Sequence, residues 1–197
     1  MADRESKRAG LGAGPGDLLV VGVGNLKPQK NAGDFVKIAA RVRGRVPRAR
    51  FVFVGDGPMR EALQARAAEL GADMLFAGWR RDVAEILSVA DAFLLTSLWE
   101  GLPRALVEAM KTGLPCASYA VDGVLDVLED GVNGCTAPPG DWERLAAKVE
   151  AMLADEPMRR RLGAKAAASL CDEFDIDVMV RQQERLYEEL LSGRSPG

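Results

Sequence analysis

Residues 91–115, DAFLLTSLWEGLPRALVEAMKTGLP, contain the pattern that decides the fold. The segment begins with a short apolar run at residues 92–95, which is typical of a strand buried on both faces. Pro103 follows a polar turn and marks a helix start, because a missing N–H costs nothing in the first helical turn. Gly113 and Pro115 end that helix. The strand, turn and helix make half of a β-α-β unit, and its turn lies where open α/β sheets bind ligands.

Two carboxylates, Glu100 and Glu108, lie on either side of the start of this helix. Eight helical residues rise about 12 Å, which suits the reach of a nucleotide sugar from its sugar to its ribose. A carboxylate accepts hydrogen bonds from neighbouring hydroxyl groups, and free N–H groups at a helix N-terminus attract phosphate. The spacing also allows a structural explanation, in which Glu100 favours the helix dipole and Glu108 is a solvated helix residue.

Composition and charge are those of an ordinary soluble domain. The 197 residues suffice for one domain with a sizeable core, and 48% of them are apolar and 28% charged. A net charge of -3 gives no electrostatic basis for binding nucleic acid. The chain has no apolar run near the ~20 residues of a transmembrane helix, and its charged first residues do not resemble a secretory signal.

Cysteine and histidine usage limits the possible chemistry. Cys116, Cys135 and Cys171 are odd in number and widely spaced, which predicts reduced thiols in a cytosolic protein. The chain has no histidine, which excludes a Ser-His-Asp or Cys-His centre within it and removes the commonest zinc ligand. Acid–base chemistry would fall to carboxylates or lysines.

Strands and helices alternate along the rest of the chain. Residues 1–16 are polar and then Gly-rich, which predicts a linker or disordered lead-in. Strands are predicted at residues 18–23, 51–54, 74–77, 92–95, 116–119 and 134–137, and C-terminal helices at residues 141–153, 158–169 and 175–191. This order predicts an α/β fold, a doubly wound, Rossmann-like parallel sheet of about six strands, spanning residues 17–191. Residues 192–197 are predicted to be a disordered tail.

The turn after the first predicted strand contains Gly22, Gly24 and Lys30. The third glycine of a dinucleotide fingerprint is missing and Pro28 interrupts the expected helix start, so a tight turn is favoured and a dehydrogenase is not. Lys30 precedes a helix N-terminus at the carboxyl edge of the sheet, where its ammonium group could meet a diphosphate. A solvated surface lysine is the alternative.

Other side chains near the same edge have open assignments. Lys27, Arg80, Arg81 and Arg104 all qualify by position for a further phosphate contact. Trp79 either belongs to the core or helps to wall a base pocket.

Taken in order, these segments resemble the C-terminal, nucleotide-sugar-binding domain of a GT-B glycosyltransferase of the retaining group 1, or family 4. The motifs that carry the resemblance are VGNL at 23–26, PQKN at 28–31, VGDGP at 54–58, FAG at 76–78, SLWEG at 97–101, EAM at 108–110, GLP at 113–115 and DGVNG at 130–134. The paired-glutamate segment is fairly specific, and its co-occurrence with the lysine turn strengthens the resemblance. It covers residues 17–191.

The resemblance implies a set of substrate-binding residues: Asn25, Lys30, Trp79, Arg80, Glu100, Gly101, Leu102 and Glu108. It implies that Lys30 and Glu100 are the catalytic residues. Glu108 would bind the ribose and Glu100 the donor sugar. Lys30 and backbone N–H groups near Gly101 and Leu102 would hold the diphosphate. The main chain around Trp79 and Arg80 would meet the base.

Three positions depart from the family's usual pattern. Asn25 stands where many relatives have arginine, so that a phosphate contact would pass to Lys27 or Arg104. Pro103 stands where many relatives have glycine, which removes one N–H donor. The usual Gly-Gly-x-x-Glu near the donor sugar is DGVLD here, at residues 122–126.

The resemblance also implies an activity. A retaining hexosyltransferase would transfer sugar from a UDP- or GDP-sugar to an acceptor hydroxyl, with no metal or other cofactor in this domain. A complete GT-B enzyme has an N-terminal acceptor-binding domain that nothing in this chain could form, so the chain is expected to be the donor half and inactive by itself. The full-length enzyme is expected in the cytoplasm, peripheral to the membrane, with no transmembrane segment and no nucleic-acid partner.

Two other functions remain open from the sequence. The chain could be a non-catalytic nucleotide-sugar-binding or scaffold module, which the departures at Asn25 and Asp126 favour. It could also be half of a sugar-nucleotide epimerase, because such enzymes share the two-domain architecture.

Overall fold

A computed structural model describes residues 2–170, 174 and 176–191. The strands are β1 (Leu18–Val23), β2 (Ala49–Val54), β3 (Leu75–Gly78), β4 (Ala92–Leu95), β5 (Cys116–Tyr119) and β6 (Cys135–Ala137). The helices are α1 (Ala2–Gly10), α2 (Ala32–Arg45), α3 (Arg60–Glu69), α4 (Val83–Val89), α5 (Arg104–Lys111), α6 (Asp122–Leu125), α7 (Trp142–Ala154), α8 (Glu156–Ser169) and α9 (Ile176–Leu191). The 3-10 turn Pro28–Lys30 precedes α2.

The six strands form one parallel sheet in the order β3-β2-β1-β4-β5-β6. The first three strands extend the sheet in one direction and the last three in the other, so the order reverses between β1 and β4. Val20 is aligned with Ala92, and Val21 with Phe93, across that pair. The predicted doubly wound, Rossmann-like α/β fold is confirmed. Loops at the carboxyl ends of β1 and β4 flank the topological switch point, where such sheets bind ligands.

The core is built from apolar strands covered by helices. Residues 18–22 of β1 and all of β4 are buried, which explains their continuous apolar sequences. Phe35 of α2 packs edge-to-face on Phe51 and Phe53 of β2, with ring centroids 5.9 and 5.3 Å apart. These contacts fix α2, and therefore the turn before it, against the sheet.

The prediction of a linker or disordered lead-in at residues 1–16 is wrong for α1, which is helical and docks on α4. Arg4 donates hydrogen bonds to the backbone carbonyls of Ser88 and Val89, and Arg8 to that of Val89. The last carbonyls of a helix attract cations, so these arginines suit the C-terminal end of α4. A charged segment without an apolar face gives little sign of such docking in its sequence.

The C-terminal helices differ in their support. Buried residues of α7 and α8 pack against the core, whereas α9 carries several exposed apolar side chains, among them Tyr187 and Leu191. The predicted tail at residues 192–197 lies outside the described residues, and so does Cys171. Among the helices of the described ranges, none is both long and apolar enough to cross a membrane.

Candidate functional site

A cleft of about 550 Å³ opens at the carboxyl ends of β1 and β4, at the switch point of the sheet. Among the residues that line it are Asn25, Lys30, Trp79, Arg80, Glu100, Leu102 and Glu108. The structure therefore brings seven of the predicted site residues to one place. Gly101 is the remaining member of that set, and it does not line the cleft.

Lys30 and Glu100 are in direct contact. The ammonium nitrogen of Lys30 lies 2.5 Å from Oε1 of Glu100, and the carboxylate side chain is only 7% exposed. The alkyl chain of Lys30 passes over Gly24, where an added Cβ would come within 3.3 Å of it. An ammonium group has three donors, so the contact with Glu100 leaves capacity for a further acceptor in the cleft.

Hydrogen bonds between two loops hold this pair in place. The backbone N–H of Leu98 donates to the carbonyl of Gln29 over 2.9 Å, and the Gln29 amide donates to the Trp99 carbonyl over 2.9 Å. Thr96 donates from its hydroxyl to the carbonyl of Lys30 over 3.0 Å. The loop after β1 and the loop after β4 therefore form one connected wall of the site.

The start of α5 gives the cleft a second carboxylate and a cation. The helix begins at Arg104 with Pro103 as its N-cap. Arg104 and Glu108 lie one turn apart and both line the cleft. The prediction of an eight-residue helical rise between the two glutamates is wrong, because the chain from Glu100 to Pro103 is an irregular turn.

Gly101 meets α6 through its backbone carbonyl. A Cβ atom at Gly123 would lie 1.3 Å from the carbonyl oxygen of Gly101, so position 123 must be glycine for the two segments to meet. The Gly123 N–H also donates to the Glu100 carbonyl over 3.3 Å. Asp126, in the segment that departs from the family pattern, is exposed and does not line the cleft.

Trp79 and Arg80 form the opposite wall. Trp79 is 75% exposed, so its position excludes the core alternative. The Arg80 guanidinium makes two hydrogen bonds to Asp82, of 2.8 and 2.7 Å. These bonds, together with one from Lys7, hold the pKa of the Asp82 carboxyl below its usual range. Of the other candidate cations, Arg104 lines the cleft, whereas Lys27 and Arg81 do not.

A buried polar network beside Lys30 escaped prediction. The Asp34 carboxylate, on a residue that is 6% exposed, accepts hydrogen bonds from Asn31, Lys37 and Tyr119. Burial, and then the hydrogen bond to Asp34, raises the pKa of Tyr119, so its phenol stays a neutral donor. In the sequence, Asp34 resembles an ordinary acidic residue in a first helical turn, and Tyr119 is 85 residues away.

No group of three or more His, Cys, Asp or Glu side chains within residues 2–170, 174 and 176–191 is arranged to hold a metal ion.

Comparison with known proteins identifies the family. The family model described as glycosyl transferases group 1 matches residues 3–169. The chain belongs to this family. The predicted resemblance to group 1 GT-B glycosyltransferases is therefore confirmed.

Two curated relatives are similar to the chain over most of its length. The chain is 38% identical over 186 residues to the UDP-Gal:alpha-D-GlcNAc-diphosphoundecaprenol alpha-1,3-galactosyltransferase of Escherichia coli, covering 92% of this chain and 48% of that protein. It is 30% identical over 182 residues to the N-acetyl-alpha-D-glucosaminyl L-malate synthase of Bacillus anthracis, covering 91% of this chain and 48% of that protein. The chain spans about half the length of these relatives.

A solved structure is similar to this group 1 chain in both fold and sequence. The crystal structure of Anabaena Alr3699/HepE in complex with UDP and glucose matches with a TM-score of 0.85 and 26% identity, covering 97% of this chain and 52% of that one.

Proposed function

We propose that the chain is the donor-binding half of a retaining glycosyltransferase, which binds a UDP- or GDP-sugar for transfer of the sugar to an acceptor hydroxyl. The observation that carries the proposal is that Lys30, Glu100 and Glu108 line a single cleft at the switch point of the sheet. The UDP and glucose bound to the Anabaena protein, and the UDP-Gal donor named for the Escherichia coli enzyme, support the class of donor.

Lys30 would stabilise the leaving diphosphate. As the bond between the sugar and the diphosphate breaks, negative charge develops on the diphosphate oxygens, and a preorganised ammonium group lowers the energy of that state. Arg104, at the start of α5, supplies a second cation on the cleft wall. Arg104 would take the phosphate contact that Asn25 cannot make. Lys30 and Arg104 would neutralise the charge of the diphosphate, so that no metal ion would be needed for this purpose.

The two glutamates would bind opposite ends of the donor. Glu108 is exposed in the cleft, so its oxygens are free to accept hydrogen bonds from ribose hydroxyls. Glu100 is nearly buried and oriented by Lys30, which suits a fixed contact with the donor sugar. Trp79 would cover the base and the Arg80 backbone would meet its edge.

Isothermal titration calorimetry of the 197-residue chain with UDP and with GDP tests this proposal. We expect weak binding of one diphosphate, at least tenfold weaker binding in Lys30→Ala and Glu108→Ala because each removes a charged hydrogen-bonding group, and no change on adding EDTA. Arg66→Ala removes a cation paired with Glu69, outside the cleft, and serves as the matched control. Binding of neither diphosphate, or equal binding by wild type and both cleft variants, would contradict the proposal.

A non-catalytic nucleotide-sugar-binding module is the second candidate, favoured by the position of Asp126 outside the cleft. The two candidates predict different results in the full-length enzyme. Sugar transfer that survives both Glu100→Ala and Lys30→Ala would favour the non-catalytic module, and loss of transfer would favour catalysis.

A further inference from the structure

We infer that Asp34 is a positioning residue for diphosphate binding, acting through the turn at Asn31 on the ammonium group of Lys30; the inference rests on the proposed function. Asp34 does not line the cleft, so it would act without touching the nucleotide.

Asn31, the residue that follows Lys30, has an unusual backbone conformation. Asn31 has φ 44° and ψ 45°, in the left-handed region, and within the described ranges Asp73 is the only other non-glycine residue with positive φ. This conformation is unfavourable for residues with a Cβ, although asparagine tolerates it better than most. It needs local support.

Asp34 supports the left-handed conformation of Asn31 through two hydrogen bonds. The Asn31 side-chain amide donates to Oδ2 of Asp34 over 2.6 Å, and the Asp34 N–H donates to the Asn31 carbonyl over 3.0 Å. These two bonds close a small ring around the left-handed residue. The first of them is charge-assisted, which makes it stronger than a bond between neutral groups.

Two further hydrogen bonds hold the Asp34 carboxylate in place. Tyr119, fully buried in β5, donates from its hydroxyl to the same Oδ2 over 2.7 Å. Lys37 donates to Oδ1 over 2.8 Å. The turn is therefore fixed against both α2 and β5.

The turn at Asn31 would in turn set the direction of the Lys30 side chain. The left-handed residue Asn31 directly follows Lys30, and the Lys30 carbonyl accepts a hydrogen bond from the Thr96 hydroxyl. The alkyl chain then crosses Gly24 and ends at Glu100. A change of φ at Asn31 would rotate the Lys30 peptide and move the ammonium group away from the cleft.

The test compares a nucleoside diphosphate with its nucleoside. Calorimetry would use UDP and uridine, or GDP and guanosine, according to which diphosphate the wild-type chain binds. We expect Asp34→Asn to weaken diphosphate binding about tenfold, because it removes the charged acceptor that holds Asn31. Tyr119→Phe removes only an anchor of that acceptor and should weaken diphosphate binding about threefold. Nucleoside affinity should not change, since only the diphosphate meets Lys30. General loss of structure would lower both affinities equally.

Further variants separate positioning from packing. In a Lys30→Met background, Asp34→Asn should have no additional effect on diphosphate binding, as expected when one residue acts through the other. Arg41→Met breaks the 3.0 Å contact of α2 with Glu150 of α7 and should leave the diphosphate-to-nucleoside affinity ratio unchanged. Asn31→Gly, which adopts positive φ readily, should retain more diphosphate binding than Asn31→Ala.

The outcomes distinguish this inference from the proposed function. A wild-type chain that binds neither UDP nor GDP overturns the proposed function and this inference with it. Suppose that the wild-type chain binds the diphosphate and that Lys30→Met weakens this binding. If the diphosphate-to-nucleoside affinity ratio is then unchanged in both Asp34→Asn and Tyr119→Phe, the positioning role alone is overturned. Should Asp34→Asn fail to fold, the Tyr119→Phe ratio decides.

Discussion

The ammonium group of Lys30 forms an ion pair within the cleft. It contacts a carboxylate that is nearly withdrawn from solvent. A charge in such a place needs a partner, because removing one member of a buried pair leaves the other uncompensated. On the proposed function, Glu100 would therefore have two effects that oppose each other: it would orient Lys30 and compete with a diphosphate for the same donors.

This competition predicts the effect of Glu100→Gln. The amide keeps the shape of the side chain and removes its charge, so the diphosphate faces a weaker competitor for Lys30. We expect UDP or GDP to bind about threefold more tightly, which corresponds to the loss of one modest polar interaction. Calorimetry measures it, with Lys30→Met as the control that should weaken binding. Weaker binding by Glu100→Gln would show that Glu100 orients Lys30 more than it competes.

Cysteine reactivity provides a second prediction from single residues. Burial raises the pKa of both Cys116 and Cys135. A raised thiol pKa means that near pH 8 the protonated form dominates, and the thiolate is the form that reacts. We expect iodoacetamide to leave both residues unmodified in the folded chain and to alkylate both in urea, as measured by peptide mapping. Rapid alkylation of either residue without denaturant would contradict the buried positions.

At the scale of elements, the site depends on hydrogen bonds and close contacts between loops. The 3-10 turn before α2 is joined to the loop after β4 by hydrogen bonds of Gln29 and Thr96. The same loop contacts α6 at Gly123 on its other side. The wall that carries Glu100 is therefore held from two directions.

Gly123→Ala tests the contact with α6. A methyl group there would overlap the Gly101 carbonyl, so α6 or the loop must move. We expect the free energy of unfolding to fall by about 3 kcal/mol, as for other changes that force backbone apart, and nucleotide binding to weaken. Urea denaturation and calorimetry measure the two effects.

Gly44→Ala is the matched control. Nothing lies within 4 Å of a Cβ at Gly44, in α2. The substitution should stabilise the helix by about 0.5–1 kcal/mol. Equal effects of the two substitutions on unfolding would contradict the close approach at Gly123.

The elements show which features the sequence predicts. Short, largely apolar runs predicted the six strands, because burial on both faces of a parallel sheet favours them. Helix α1 was missed, since its docking depends on cations at the end of α4 rather than on an apolar face. Lys30, Glu100 and Glu108 were predicted from local motifs. The Asp34–Tyr119 contact joins residues 85 apart, and no local pattern records such a contact.

At the scale of the whole molecule, the chain is about half as long as the group 1 relatives that it matches. Its cleft is an open groove with Trp79 and Leu102 exposed at its walls, 75% and 56% respectively. An open groove leaves a bound donor in contact with water, which weakens the electrostatic contacts that a closed site would strengthen. Weak binding and negligible turnover by this chain alone are the expected consequences.

A crystal structure of the chain with UDP or GDP bound tests the central claim most directly. The account predicts the diphosphate oxygens within hydrogen-bonding distance of the Lys30 ammonium group and the ribose hydroxyls on the Glu108 carboxylate. A nucleotide bound at another place on the chain, or one in the cleft that touches neither Lys30 nor Glu108, would contradict it.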